Sequence, residues 1–377
     1  MDSIVMCDLK GQYLKIKDEV DSGIQAVIDS AAFIKGEAVN QLQQELGSYL
    51  SCKHVIACGN GTDALQIALM ALGLRPGDEV ITPNFTFIAT VEVVALMGLT
   101  PVLVDVDIDS YTLDIEQLER AITARTRAII PVHLFGQCAN MEAIMKVAQK
   151  FGIFVIEDVA QALGSSYTFS SGTVAKAGTI GHIGTTSFFP SKNLGCYGDG
   201  GALYTNDDSL AEEIRSIANH GMKVRYHHDR IGLNSRLDTI QAAILRVKLK
   251  YLDQYNQARI QAADTYDRLF ASCSALKTPF RVADSNHIFH QYTLRLLDGD
   301  RQELTKYLAT KGIPAMIYYP VPLHRQVAFA EYQKVARTKE FPVTDKLCGS
   351  VFSLPMHTEL TLEQQEYIAG AVLSYLE

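Results

Sequence analysis

Three things are missing from this sequence of 377 residues, and each absence removes a class of function. There is no excess of positive charge: the formal net charge is −8, so no broad basic field attracts nucleic acid. Long apolar runs are missing too. Asp2, Asp8 and Lys10 fall where a signal peptide would need unbroken hydrophobicity, and no later stretch is long enough to span a bilayer. A cytoplasmic protein without membrane contact is expected. The third absence is paired cysteine spacing. Cys7, Cys52, Cys58, Cys138, Cys196, Cys273 and Cys348 include no C-x-x-C pair, so neither a zinc site nor a disulfide framework is indicated. They read as reduced thiols of the core or loops.

What is present is an alternation. From His54 to about Asn206, short apolar runs alternate with helical patterns, the mark of an open, mostly parallel, doubly wound α/β sheet covered on both faces. The strands read as HVIAC, EVITP, PVLVDV, AIIPVHL, FVIED, TTSFFP and ALYTN. Helices between them include TDALQIALMALG, with Ala64, Leu65, Ala68, Leu69 and Leu72 at helical spacing, and MEAIMKVAQKFG, which stops at Gly152. Asp238 to Phe270 contains no Pro or Gly and predicts one long connecting helix. Residues 1–250 are expected to form a large cofactor-binding domain and 251–377 a smaller α+β domain. No repeat, low-complexity segment or flexible linker separates them.

The chemistry concentrates at strand ends. FVIEDVAQ ends an apolar strand on Glu157 and Asp158, and carboxyl ends of strands form the ligand crevice of a doubly wound sheet. A buried carboxylate there needs a cation, and the protonated pyridine nitrogen of pyridoxal phosphate is one. An Asp that merely caps the next turn is the alternative. TTSFFPSKNLGCYGDGG carries a strand into Pro190 and delivers Lys192 at its exit. A desolvated lysine beside a ring cation loses proton affinity, forms a Schiff base and shuttles a proton. Alone it reads as a surface lysine; the acid 34 positions earlier (192 minus 158) and the Ser187 hydroxyl, within reach of a phosphate, argue otherwise.

Phosphate needs backbone donors at a helix N-terminus, and Gly59, Gly61 and Thr62 precede an amphipathic helix. The same residues satisfy G-x-G-x-x-G/A, but a dinucleotide site also needs an acid ending the second strand, which EVITPNF lacks. Phe85 follows that strand and is placed to lie on a cofactor ring, an ordinary core phenylalanine being the alternative. Gln161 is in reach of the cofactor's phenolic oxygen. Residues 220–238 gather Lys223, Arg225, His227, His228, Arg230 and Arg236, a local patch suited to a diphosphate or carboxylate. Adjacent His227 and His228 lack metal-ligand spacing, so no metal is expected.

Taken together, the GNGTDALQ turn, IEDVAQALG, SFFPSKNLGCYGDGG, NSRLDTIQAAIL, YYPVPLH and FSLPMH resemble the DegT/StrS-type nucleotide-sugar aminotransferases, fold-type I pyridoxal-phosphate enzymes, over essentially the whole chain. The resemblance implies covalent attachment of the cofactor at Lys192, Asp158 paired with its ring nitrogen and Phe85 against the ring. It also implies phosphate contacts from Gly61, Thr62 and Ser187, and from Asn234 of the other subunit of a homodimer with its active sites at the interface. Arg225, Arg230 and Arg236 would face the substrate there, with Tyr319 and His324 lining the same cleft. Tyr318 departs from the pattern, standing where many relatives carry His. Within the family the chain looks most like members that aminate C3 of a nucleotide-linked keto-sugar for surface polysaccharide such as lipopolysaccharide O-antigen. L-Glutamate is the implied donor and UDP-linked 2-acetamido-3-keto-glucuronic acid the implied acceptor; enzymes for dTDP-linked 3-keto-6-deoxy sugars are close competitors. Lys192 argues against the histidine-bearing dehydratases of this fold. A ligand-sensing regulator would need an added DNA-binding module or loss of that lysine.

Overall fold

The apolar runs assemble into a seven-stranded sheet in the computed structural model, which describes residues 3–336 and 338–376. The strands are β1 (His54–Cys58), β2 (Glu79–Pro83), β3 (Thr100–Val104), β4 (Thr126–Ile129), β5 (Phe154–Asp158), β6 (Ile183–Ser187) and β7 (Gly201–Thr205). Their order is β1–β7–β6–β5–β4–β2–β3, all parallel except β7, which runs antiparallel to both neighbours. β2 and β7 are buried along their whole length because helices cover both faces. Helices Gly61–Ala71, Ala89–Leu96 and Asp208–Ile217 close one core around Leu65, Ala68, Val93 and Ile214. Helices Glu37–Leu50, Met141–Phe151 and Thr239–Leu249 close the other around Leu46, Ile144 and Leu245.

A third core follows. It joins an antiparallel sheet of β8 (Leu276–Lys277), β9 (Tyr292–Leu296) and β10 (Val351–Leu354) to helices Leu252–Phe270, Arg301–Thr310 and Leu362–Leu376 through Tyr266, Phe270, Leu304 and Ile368. The seven cysteines are free, five of them buried. Among the described residues no helix is long and apolar enough to cross a membrane.

Several boundaries differ from the sequence reading. AIIPVHL stops as a strand at Ile129, because Pro131 has no N–H for the ladder and the chain turns into a short 3₁₀ segment at Leu134–Gly136. TTSFFP begins two residues earlier, where Ile183 and Gly184 pair with Ile156 and Glu157, and ends at Ser187. The expected single helix from Asp238 to Phe270 is two, Thr239–Leu249 and Leu252–Phe270. At the junction the amides of Lys250 and Tyr251 bond three residues back, to Val247 and Lys248, tightening the turn. Glu19 holds it in place, accepting from Lys250 Nζ at 2.8 Å and from the Tyr251 hydroxyl. A tertiary contact interrupts a run that local propensity would continue.

Beside that junction, Lys248 is 0% exposed and its Nζ lacks a hydrogen-bond partner, lying 5.3 Å from the centre of the Tyr197 ring. Burial pulls its pKa from 10.5 down to about 8. The folded value lies below the unfolded one, so between about 8 and 10.5 the unfolded chain holds more protons and stability rises with pH. Below about 8 the full penalty applies. Lys248→Met is therefore expected to stabilise the fold at pH 7 by about 2–3 kcal/mol, the advantage shrinking towards pH 10.5. Urea unfolding at pH 7 and pH 10 measures both parts.

Candidate active site

Asp158 ends β5 with its backbone locked between strands: its N–H donates to Pro131 O at 2.9 Å and its carbonyl accepts from His133 N at 3.0 Å. The side chain is 6% exposed. Oδ2 accepts from the Thr90 hydroxyl at 2.9 Å, and Oδ1 from the Ala160 N–H at 3.2 Å. Burial raises the Asp158 pKa, opposed by those two bonds and by the charge of Lys192. Lys192 responds in the opposite sense. Burial lowers its pKa to about 8, and the Asp158 carboxylate pulls it back up. Each group lacks a full counter-charge, the condition in which a cationic ring and an imine-forming amine fit together.

The loop that carries Lys192 is closed by backbone bonds, Lys192 N–H to Phe189 O and Cys196 N–H to Phe188 O, both 2.8 Å. Gly195 is required there, since a Cβ would stand 2.3 Å from the Pro190 carbonyl oxygen. Behind the lysine, Asn193 Nδ2 donates to Asn256 Oδ1 at 2.7 Å, and His290 Nδ1 donates to Asn193 Oδ1 at 3.2 Å. His290 is kept neutral, its pKa far below the usual range through burial and the charges of Lys192 and Arg259. Arg259 in turn donates to the carbonyls of Phe289, His290 and Met356.

A helix N-terminus, the candidate phosphate site, packs against the end of β6. Asn60 caps the Gly61–Ala71 helix by accepting from Asp63 N–H at 2.8 Å, which leaves the first helical N–H groups directed outward. Gly61 presses against the end of β6, and a Cβ there would meet Ser187 Cβ at 2.7 Å. Helix N-terminus and hydroxyl are thus brought together by a contact only glycine permits. Gly61→Ala is expected to weaken pyridoxal-phosphate affinity about tenfold, because one methyl of overpacking displaces Ser187 or the helix end. Titration of the apoprotein by absorbance measures it.

Of the other residues named from sequence, Gln161 and Tyr319 join this site. Gln161 Oε1 accepts from Phe135 N–H at 2.8 Å and Nε2 donates to the Tyr319 hydroxyl at 3.1 Å. Thr62 stands half-exposed at the helix start. Phe85 is 1% exposed, enclosed edge-to-face by Tyr111, Phe135 and Tyr319 at 6.0–6.3 Å, and offers no free face to a cofactor. Two positions on, Phe87 is 54% exposed and 6.2 Å from Tyr319. Of the two rings, exposure leaves Phe87 rather than Phe85 with a face open at this site. His324 docks on the loop after β2: its Nδ1 accepts from Asn84 Nδ2 at 2.8 Å, and its N–H donates to Asn84 Oδ1 at 3.0 Å.

The basic patch does not gather around Lys192. Arg225 lies on an exposed hairpin over the Tyr226 ring at 4.9 Å, Arg230 is paired with Glu213, and Asn234 is exposed, bridging to Asn219. Arg236 lines a different cavity. Sequence reading missed Thr90, Asn193, Asn256, Arg259 and His290. Only Thr90 left a trace, as the second of two threonines four apart, Thr86 and Thr90, whose hydroxyls lie 3.1 Å apart. Among the described residues no group of three or more His, Cys, Asp or Glu is placed to hold a metal.

Comparisons with known proteins bear on this geometry. Residues 14–373 match the DegT/DnrJ/EryC1/StrS aminotransferase family. The chain is 47% identical to the UDP-2-acetamido-2-deoxy-3-oxo-D-glucuronate aminotransferase of Pseudomonas aeruginosa, covering 98% of this chain and 99% of that one. It is 44% identical to a UDP-N-acetyl-3-dehydro-alpha-D-glucosamine 3-aminotransferase of Acidithiobacillus ferrooxidans, over 98% and 97%. Among solved structures it is similar to NtdA of Bacillus subtilis with bound cofactor PMP, at a TM-score of 0.88 and 31% identity, covering 96% of this chain and 82% of that chain.

Proposed function

Because the chain belongs to the DegT/DnrJ/EryC1/StrS aminotransferase family, whose cofactor is pyridoxal phosphate, we propose that it moves the amino group of L-glutamate to C3 of a UDP-linked 2-acetamido-2-deoxy-3-oxo-glucuronate. The product is a 3-amino sugar for surface polysaccharide, made in the cytoplasm by a homodimer. The observation that carries the reading is the buried Asp158 carboxylate facing the half-buried Lys192 amine.

Pyridoxal phosphate supplies an electron sink for a carbanion next to nitrogen. The chain's residues do the rest. Gly61 and Thr62 amides and the Ser187 hydroxyl bind the phosphate, with Asn234 reaching across from the other subunit. Asp158, oriented by Thr90 and Ala160, holds the proton on the ring nitrogen. Phe87 covers the ring and excludes water from it, and Gln161 orients the phenolic oxygen. Lys192 Nζ takes the proton from the α-carbon of glutamate and, in the second half, returns a proton to C3 of the sugar. Tyr319 and His324 line the substrate side, and Arg225, Arg230 and Arg236 supply cations for the sugar's anionic groups.

The reading is tested by absorbance. The yellow band of the holoenzyme is expected to bleach with L-glutamate and to return with the UDP-linked 3-keto-uronate, but not with UDP-linked 3-keto-glucosamine or a dTDP-linked 3-keto-6-deoxy sugar. Return with one of the latter replaces the substrate; a band indifferent to glutamate removes the donor.

A further inference from the structure

Behind the Lys192 loop runs a chain of buried polar side chains that none of the proposed steps uses. Asn193, Asn256, Arg259 and His290 are each at most 5% exposed, so bulk water does not compete for their hydrogen bonds. The chain begins at a group with no choice of role: the Leu163 carbonyl can only accept, and it takes a bond from Asn256 Nδ2 at 3.3 Å. Asn256 Oδ1 is thereby turned to Asn193, whose Nδ2 donates to it at 2.7 Å and to the Ile288 carbonyl at 3.4 Å. Asn193 Oδ1 then faces His290 and accepts from its Nδ1 at 3.2 Å. Turning the Asn193 amide over would set donor against donor at His290 and acceptor against acceptor at Asn256. One backbone carbonyl thus fixes the direction of every bond up to the residue next to Lys192.

Both partners of Asn193 are themselves anchored. Asn256 and Arg259 stand three apart on the Leu252–Phe270 helix, and Arg259 Nη1 donates to the carbonyls of Phe289 and His290 at 3.3 and 3.2 Å. From the other side, the N–H groups of Ile288 and His290 donate to Gly136 O and Phe135 O, both at 2.8 Å. Apolar side chains would fill the space behind the loop, but they would leave the peptide of Asn193 free to slide, which directional bonds prevent. The charge of Lys192 acts on His290, and burial keeps that ring neutral, so the mount sets no second cation behind the amine.

We propose that Asn193, locked by Asn256 and His290, is a positioning residue for Lys192: it holds the peptide that carries the amine, so that Nζ meets the reacting carbon in one orientation. The inference rests on the proposed role of Lys192 as proton carrier.

The test is stopped-flow bleaching of the pyridoxal-phosphate-loaded, full-length protein by L-glutamate, with Asn193→Ala, His290→Leu and His290→Asn. Asn193→Ala and His290→Leu are expected to lower the limiting rate by about 10- to 100-fold, the effect of a slightly misplaced reacting group, while the half-saturating glutamate concentration stays as in the wild type. His290→Asn, whose amide can donate from near the position of Nδ1, is expected to restore most of the rate. Visible circular dichroism of the bound cofactor gives a readout apart from turnover: the band is expected to shrink at equal absorbance in Asn193→Ala and His290→Leu, and to return in His290→Asn. Thermal melting checks folding, and if Asn193→Ala does not fold the two His290 variants decide. A wild-type limiting rate and dichroism in folded Asn193→Ala, or equal losses in His290→Leu and His290→Asn, overturns the proposal, because the bonds then serve stability alone. A wild-type protein that glutamate does not bleach is instead a failure of the proposed function, so the two failures are distinguishable.

Discussion

Lys192→Ala is expected to leave a folded protein that still takes up pyridoxal phosphate, while both half-reactions slow by at least about 10⁴-fold. The fold survives because the loop is held by the Lys192 and Cys196 N–H groups and by Asn193, none of which needs the lysine side chain. The rate falls because the amine whose charge acts on Asp158 is removed. Its neighbour His290 is buried, neutral and donating its Nδ1 proton to Asn193, so it is not placed as a substitute base. A pH dependence accompanies this. With its pKa lowered to about 8, the free amine accepts a proton only in its neutral form, so the wild-type glutamate half-reaction rises with pH up to about 8 and then levels. Stopped-flow absorbance measures both, and partial return of the Lys192→Ala reaction on adding methylamine marks a lost proton carrier rather than a damaged site. Bleaching within tenfold of the wild-type rate would remove Lys192 from the mechanism.

The second large effect is at Asp158. Asp158→Asn keeps the shape and an oxygen for the Thr90 hydroxyl but removes the charge opposite the ring nitrogen. Breaking one side of a buried ion pair costs about 3–5 kcal/mol, which corresponds to about 10²–10³-fold or more in kcat/KM if the pair is tightest as the carbanion forms. Cofactor affinity falls as well. Burial has already raised the Asp158 pKa, so in the wild type the carboxylate is protonated, and the pairing lost, at a higher pH than for an exposed Asp. Cofactor retention in the wild type is therefore expected to fall as pH drops through that raised value, whereas Asp158→Asn shows weak retention at every pH. Equal retention profiles for the two proteins would detach Asp158 from the ring.

Much of this site was legible in sequence because its signals are local. An apolar run ending in an acid, a strand leading through proline to a lysine, and an Asn-Gly-Thr step into an amphipathic helix each follow from neighbouring residues. Where a role depends on what packs from elsewhere, neighbouring residues carry no signal of it. Phe85 and Phe87 are equivalent by pattern, and only the enclosure of Phe85 by Tyr111, Phe135 and Tyr319 decides which ring is left accessible. The Thr90 bond to Asp158 joins residues 68 positions apart, and the Asn193–His290 contact joins residues 97 apart.

The basic segment from 220 to 238 shows the division most plainly. In sequence it is one cluster; in the fold Lys223 goes to Glu212, Arg230 to Glu213, Arg225 to its own neighbour Tyr226, and Arg236 to a cavity at the sheet edge. What this sequence determined by itself was the doubly wound sheet and the order in which the acid, the lysine and the phosphate turn arrive at its rim, since burial periodicity and strand termination act over a few residues. What the tertiary structure alone decided was which charges remain unpaired. Pairing depends on atoms brought within about 3–4 Å by long-range packing, which a sequence pattern does not record.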